Sequence, residues 1–276
     1  MMQSANGSDH PHEVRRVALV TGSSRGIGRA TLLALAKDHD VIVHYRRRPE
    51  EAEAVAAEAQ SLGARAITVK AELETPAELE QMILAATTEF GHIDTFVANA
   101  AAGAFLPVIH SKDYHVERTF STIVTSFTDL VRFMLPHMPD GGRIVVVSGL
   151  DSRNGVVNHG LIGAAKAALE SLVRNLAIEL GDRQITVNAV APGSVMTESL
   201  EFAHEKRLEG APDPVLDSIP LGRYAAAEDI ASVIRFLCSE NAAYVSGVTI
   251  PVDGGLSAGG GPWAVLQRKS LDSVQA

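Results

Sequence analysis

The stretch TGSSRGIGRA, residues 21–30, spaces Gly22, Gly26 and Gly28 as T-G-x-x-x-G-x-G directly after an apolar run. Glycines at these intervals let backbone approach a pyrophosphate closely, and a helix beginning there points its positive end at the charge. Ser24, Arg25 and Ile27 belong to the same turn. After the second apolar run comes HYRRRPEE, His44 to Glu51. A carboxylate at that place binds a ribose diol, whereas a guanidinium holds phosphate bidentately. Arg46 and Arg47, joined by Arg25, therefore predict a 2′-phosphorylated dinucleotide, NADPH; the alternative is a wet surface turn carrying three arginines.

Such residues need a scaffold to bring them together. Apolar runs at 16–21, 40–45, 66–69, 94–100, 143–148, 185–191 and 248–252 are nearly continuous, as strands buried on both faces of a parallel sheet are. Helical patterns at 26–37, 50–63, 76–91, about 115–138 and 161–180 alternate with them. The alternation predicts an α/β fold, a Rossmann-type doubly wound sheet of seven parallel strands in a single domain, with ligands at the carboxyl ends of the strands. With 276 residues, 46% of them hydrophobic, the chain can bury one large core. That domain is expected over 15–257, between a flexible N-terminus at 1–14 and a tail at 258–276 introduced by GGLSAGGGP. The 24 basic residues against 33 acidic ones, a net charge of −9, argue against nucleic acid as a partner. No run reaches about 18 uncharged apolar residues and MMQSANGSDHPHEV lacks a signal peptide's apolar core, so a soluble cytoplasmic protein without membrane contact is expected. Cys238, the only cysteine, reads as a small buried hydrophobe and excludes a disulfide framework. No metal site is read.

The glycine spacing at a strand-to-helix turn resembles the short-chain dehydrogenase/reductase family, and the resemblance extends from about residue 16 to residue 256. VANAA, 97–101, is similar to the family's N-N-A-G segment with two residues replaced; this implies that Asn99, next to Ala100, steadies the central strand beside the cofactor. APGSVMT, 191–197, resembles the segment that holds the nicotinamide carboxamide, which implies roles for Pro192, Gly193, Val195 and Thr197. Glu72 and Leu73 fall where the family carries an aspartate-valine pair near the adenine. Residues 219–255 are similar to the family's C-terminal segment, and 194–220 to its variable stretch over the substrate, a lid or a static cap. Family helices matching about 115–138 and the one after Lys166 pair subunits, implying a homodimer or homotetramer.

The family reduces ketones with a tyrosine four residues before a lysine, a serine that polarises the carbonyl, and an asparagine that holds a water. Here the lysine is Lys166, and Ile162 stands four residues earlier on the same helical face. The serine position aligns with Gly149, preceded by Ser148, which lines the cofactor in relatives. The asparagine position falls on Ile123, or on Thr122 or Ser121 if the register slips. In the family the lysine also bonds the nicotinamide ribose, so Lys166 is both a catalytic and a cofactor candidate. A closer resemblance, to enoyl-acyl-carrier-protein reductases of the FabL type, lies in ITVKAELETPAELEQMI and FVANAAAGAFLPV. Those enzymes space tyrosine and lysine seven apart, which puts His159 at the acid position beside Asn158, a possible carbonyl contact. The plainer account of His159 is a surface histidine.

Losing a positioned acid forfeits about 10²–10⁴ in rate, whereas orienting donor against acceptor is worth roughly 7–11 kcal/mol. A site without a tyrosine can therefore still reduce a ketone whose own hydroxyl is hydrogen-bonded to it, as in polyphenolic aromatic ketones. Gly149, Ile162 and Ile123 would fit a flat apolar ligand, with Phe105 or Phe202 for stacking or ordinary packing. The expectation is an NADPH-dependent ketoreductase of small molecules, similar to tailoring reductases of aromatic (angucyclinone-type) polyketide pathways that lack serine and tyrosine. The alternatives are an enoyl-thioester reductase using His159, and a catalytically silent NADPH-binding protein.

Overall fold

The computed structural model describes residues 15–196 and 213–259. Seven parallel strands form one sheet: β1 (Arg16–Val20), β2 (His39–Tyr45), β3 (Ala66–Lys70), β4 (Thr95–Ala98), β5 (Arg143–Val147), β6 (Thr186–Pro192) and β7 (Thr249–Val252). Their order across the sheet is β3-β2-β1-β4-β5-β6-β7. The chain runs outward from β1 through β2 to β3, then returns past β1 to lay down β4 on its other side. That reversal opens a crevice at the carboxyl ends of β1 and β4.

Successive residues of a strand point to opposite faces, and both faces here are apolar. Leu19, Ile42, Phe96 and Ile144 face one core, with Leu79 and Met82 of helix α3 (Pro76–Phe90) and Phe127 and Leu130 of α5 (Ser126–Met134). Val20, Val43, Val97 and Val145 face the other, with Leu32 and Leu35 of α1 (Gly26–Leu35), Val55 of α2 (Pro49–Ser61), and Ile230 and Ile234 of α8 (Ala227–Cys238). The edge strands β3 and β7 are only half-buried. Cys238 is buried and its thiol is pushed up to about 12 by burial, an inert packing group as expected. Among the described residues no helix is long and apolar enough to cross a membrane.

Local chemistry sets the helix ends. Proline starts α2 and α3, where its missing N–H costs nothing, and Gly91 closes α3 in the left-handed region at φ 84°. The single long helix expected over about 115–138 is instead α4 (Asp113–Phe120), a π turn at Ser121–Thr125, and α5, which stops short of Pro136. Thr119 and Ser126 donate their hydroxyls to the carbonyls of His115 and Thr122, at 2.7 and 2.5 Å, and so compete with the helical ladder. The longest helix is α6 (Gly160–Glu179), which carries Lys166; the short α7 (Pro214–Ser218) precedes α8.

The rings of Phe96 on β4 and Phe127 on α5 stack with centroids 6.2 Å apart, and both are fully buried. Phe127→Ala is expected to cost about 3–5 kcal/mol of unfolding free energy, read from urea melts as a lower midpoint with an unchanged slope.

Candidate functional site

The crevice floor is a short set of hydrogen bonds between β1 and β4. Asn99 donates its amide to the carbonyls of Thr21 and Gly22 at 2.9 and 3.2 Å, and the Thr21 hydroxyl accepts the N–H groups of Asn99 and Ala100 at 3.0 and 3.1 Å. Asn99 thus ties the turn after β1 to the end of β4. Gly22 and Gly26 lie at φ 65° and 55°, a region that disfavours side chains. Gly28 needs its missing side chain for another reason: a Cβ there would lie 2.3 Å from the Gly22 oxygen and 2.5 Å from the Asn99 amide nitrogen.

Above this floor is a cavity of about 590 Å³. Gly22, Ser24, Arg25, Gly26, Ile27 and Gly28 line it from the turn into α1, Arg46 and Arg47 from just past β2, Glu72 and Leu73 from the segment after β3, and Asn99 and Ala100 from the segment after β4. The elements therefore gather every residue assigned from the sequence to the phosphate and adenosine end of a dinucleotide. The fit is chemical as well as spatial: a cradle with no room for a Cβ, the N-terminus of α1, and exposed guanidiniums at Arg25 and Arg47 that make no ion pair among the described residues. Arg46 is held in place by a neighbour the sequence reading did not pair with it. Its Nε donates to Glu72 at 2.8 Å, so Glu72 anchors an arginine at the rim.

Lys166 and its surroundings lie at the carboxyl ends of β5 and β6. Lys166 is buried and donates to the carbonyl of Val147, the last residue of β5. Burial lowers its pKa to about 8, partly offset by the Asp151 carboxylate. Ser148 donates to Glu170 at 2.7 Å, as does Ser152 at 2.6 Å; Arg153 reaches the other oxygen at 3.0 Å. Burial pushes the Glu170 carboxyl up, but hydrogen bonds from Ser152, Ser148 and Arg153 outweigh it and hold the group below its ordinary value. Pro192 ends β6, and Gly193 packs so closely on Asp253 that a Cβ would lie 2.8 Å from its Cα. Val195 bridges to Ala225. Thr197 and Phe202 lie outside the described residues, as does most of the expected lid at 194–220.

The positions that differ from the family pattern are filled. A Cβ on Gly149 would lie 2.4 Å from Oδ1 of Asp151, so that carboxylate occupies the place of a serine side chain. The other oxygen of Asp151 is 3.0 Å from Nδ1 of His159, whose ring meets Phe105 edge-on at 5.0 Å between centroids. Ile162 is buried with its Cγ1 against Gly103, where a Cβ would be 2.6 Å away. Ile123 is also buried in the core, while Thr122 one residue earlier lines the cavity and donates its hydroxyl to Glu74. At the π turn Thr122 faces the crevice and Ile123 the core. Asn158 sits at φ 65°, a conformation asparagine tolerates better than most residues, which explains its presence in the turn.

Sequence reading missed His44, Asp151 and Glu170. Their only sequence signal was a polar side chain within or beside an apolar run, which does not say what it touches.

A parallel doubly wound sheet with a glycine turn at its switch point and a buried lysine past β5 is the frame of a dinucleotide-binding oxidoreductase. Residues 22–257 match the family described as enoyl-(acyl carrier protein) reductase. The chain is 36% identical over 261 residues to 1-cyclohexenylcarbonyl-CoA reductase of Streptomyces collinus, covering 94% of this chain and 92% of that one. It is 34% identical to a hydroxynaphthalene reductase-like protein of Metarhizium brunneum, covering 87% and 94%. Its fold is similar to that of the landomycin C-6 ketoreductase LanV with bound NADP and rabelomycin, with a TM-score of 0.79, 32% identity, and 88% and 97% coverage. The chain belongs to the short-chain dehydrogenase/reductase family and is an oxidoreductase.

Gly28→Ala is expected to raise the dissociation constant for NADPH at least about tenfold, because the added methyl must displace backbone. Isothermal titration calorimetry with the purified variant checks this.

Proposed function

We propose that the chain is an NADPH-dependent ketoreductase acting on a hydroxylated aromatic ketone of polyketide type, with no tyrosine delivering the proton. The observation that carries this reading is that Lys166 stays buried at the end of β5 while Ile162, packed on Gly103, holds the position four residues before it. Bound NADPH would supply the hydride. The chain's contribution would be to place the reactants: the glycine turn and the arginines would hold phosphate, and Lys166 would supply a positive charge for the ribose hydroxyls and the carbonyl oxygen. A ketone hydrogen-bonded to its own hydroxyl brings polarisation and a proton. An apolar rim by His159 suits a flat ligand, since Phe105, Val108, Ile109 and Val157 are all exposed. The hydroxynaphthalene reductase-like relative and the ketoreductase solved with rabelomycin support this substrate class.

A second reading is favoured by one contact. His159 donates its Nδ1–H to Asp151, which fixes the ring and leaves Nε2 for a substrate; with Nε2 also protonated, the imidazolium beside the carboxylate would be the general acid in enoyl-thioester reduction. The family description and the cyclohexenylcarbonyl-CoA reductase relative support it.

Turnover of NADPH with ortho-hydroxyaryl ketones and with crotonyl-CoA separates the two. On the first reading the ketones react, His159→Ala keeps their kcat within about threefold, and O-methylation of the neighbouring hydroxyl lowers it by about 10²–10⁴. Preference for crotonyl-CoA, with loss on His159→Ala, would reverse the assignment. The pH profile is a further test. Since burial lowers the Lys166 pKa to about 8, its charged form is held below that pH, and kcat/KM is expected to fall about tenfold per unit above it.

A further inference from the structure

His44 is buried at the carboxyl end of β2 with both ring nitrogens occupied. Its Nδ1 is 2.8 Å from the Gly22 amide nitrogen. A backbone amide only donates, so Nδ1 carries no proton, and the proton on Nε2 goes to the Ala71 carbonyl at 3.1 Å. The backbone of the same residue adds two bonds: its N–H donates to the Ser23 hydroxyl at 3.1 Å, and its carbonyl accepts from the Ser23 amide at 3.0 Å. One residue therefore ties the glycine turn after β1 to the end of β3. Gly22, His44 and Ala71 all line the cavity, together with Arg46, two residues beyond His44, and its partner Glu72, next to Ala71.

We propose that His44 is a positioning residue for the dinucleotide, whose single neutral tautomer sets the separation between the phosphate turn and the arginine wall that would take the 2′-phosphate. The inference rests on the reading of this cavity as the coenzyme site. A proton on Nδ1 would set two donors against each other and release Gly22 from β2. Burial keeps the ring neutral below the ordinary histidine range, although the Ala71 carbonyl and the Glu72 carboxylate favour the charged form. Other charges lining the cavity are Arg25, Arg46, Arg47 and Arg48.

The test uses two variants of the full chain. Asparagine can place an oxygen where Nδ1 lies, whereas glutamine reaches toward Ala71 and leaves the Gly22 amide unmatched. His44→Asn is expected to keep NADPH affinity within about threefold of wild type at neutral pH, and His44→Gln to weaken it about tenfold. On wild-type protein, ¹⁵N spectra of labelled histidine should show His44 protonated at Nε2 alone at pH 6.5, where an ordinary histidine is half-charged. Equal NADPH affinity in wild type and both variants, or a proton on Nδ1 at neutral pH, overturns the proposal, the second even if a variant fails to fold. Failure of wild type to bind NADPH would instead overturn the coenzyme reading beneath it.

Discussion

The site depends on one cross-strand contact, the Asn99 amide bonded to the carbonyls of Thr21 and Gly22. Where the strand order of a parallel sheet reverses, the helices leave to opposite faces and backbone polar groups at the strand ends lose their ladder partners. Asn99 and the Thr21 hydroxyl supply those partners from within the sheet. The phosphate turn can then open toward solvent instead of collapsing onto β4. Gly28 is part of the same constraint, because its side chain would occupy the space the Asn99 amide needs.

Three buried ionisable groups show different solutions to the cost of desolvation. Glu170 keeps its charge because two hydroxyls and a guanidinium converge on it, and it thereby fixes the loop after β5. His44 is neutral, and its two nitrogens act as one acceptor and one donor. Lys166 has a single protein hydrogen bond among the described residues, and burial lowers its pKa, partly offset by Asp151. An ammonium so poorly compensated by protein is one whose remaining hydrogen-bonding capacity is open to a ligand.

The glycine-turn half and the Lys166 half of the crevice are built differently. The first is held by backbone geometry shared with the family, through Gly22, Gly28 and Asn99. The second is set by side chains of the turn after β5 and the first turn of α6, where Asp151 fills the hollow of Gly149 and Ile162 seals against Gly103. Loop residues on a fixed sheet can change without disturbing the fold, which is how one architecture serves reductases of different substrates.

The seven strands and most helices were legible in the sequence because burial on both faces demands continuous apolar runs, and helix ends carry proline or glycine for local reasons. So was the phosphate cradle, since T-G-x-x-x-G-x-G is a backbone requirement expressed within ten residues, 21–30. Lys166 was identified by the family resemblance, and helical spacing then placed Ile162 on its face. The pairings of His44 with Gly22 and Ala71, and of Asp151 with His159, were not legible. Neither was the choice of Thr122 over Ile123, because one π turn shifts the phase of a helix without altering its composition. Spacing along the chain determines what a single element must be; which side chains from different elements meet is decided only when the sheet and its covering helices pack.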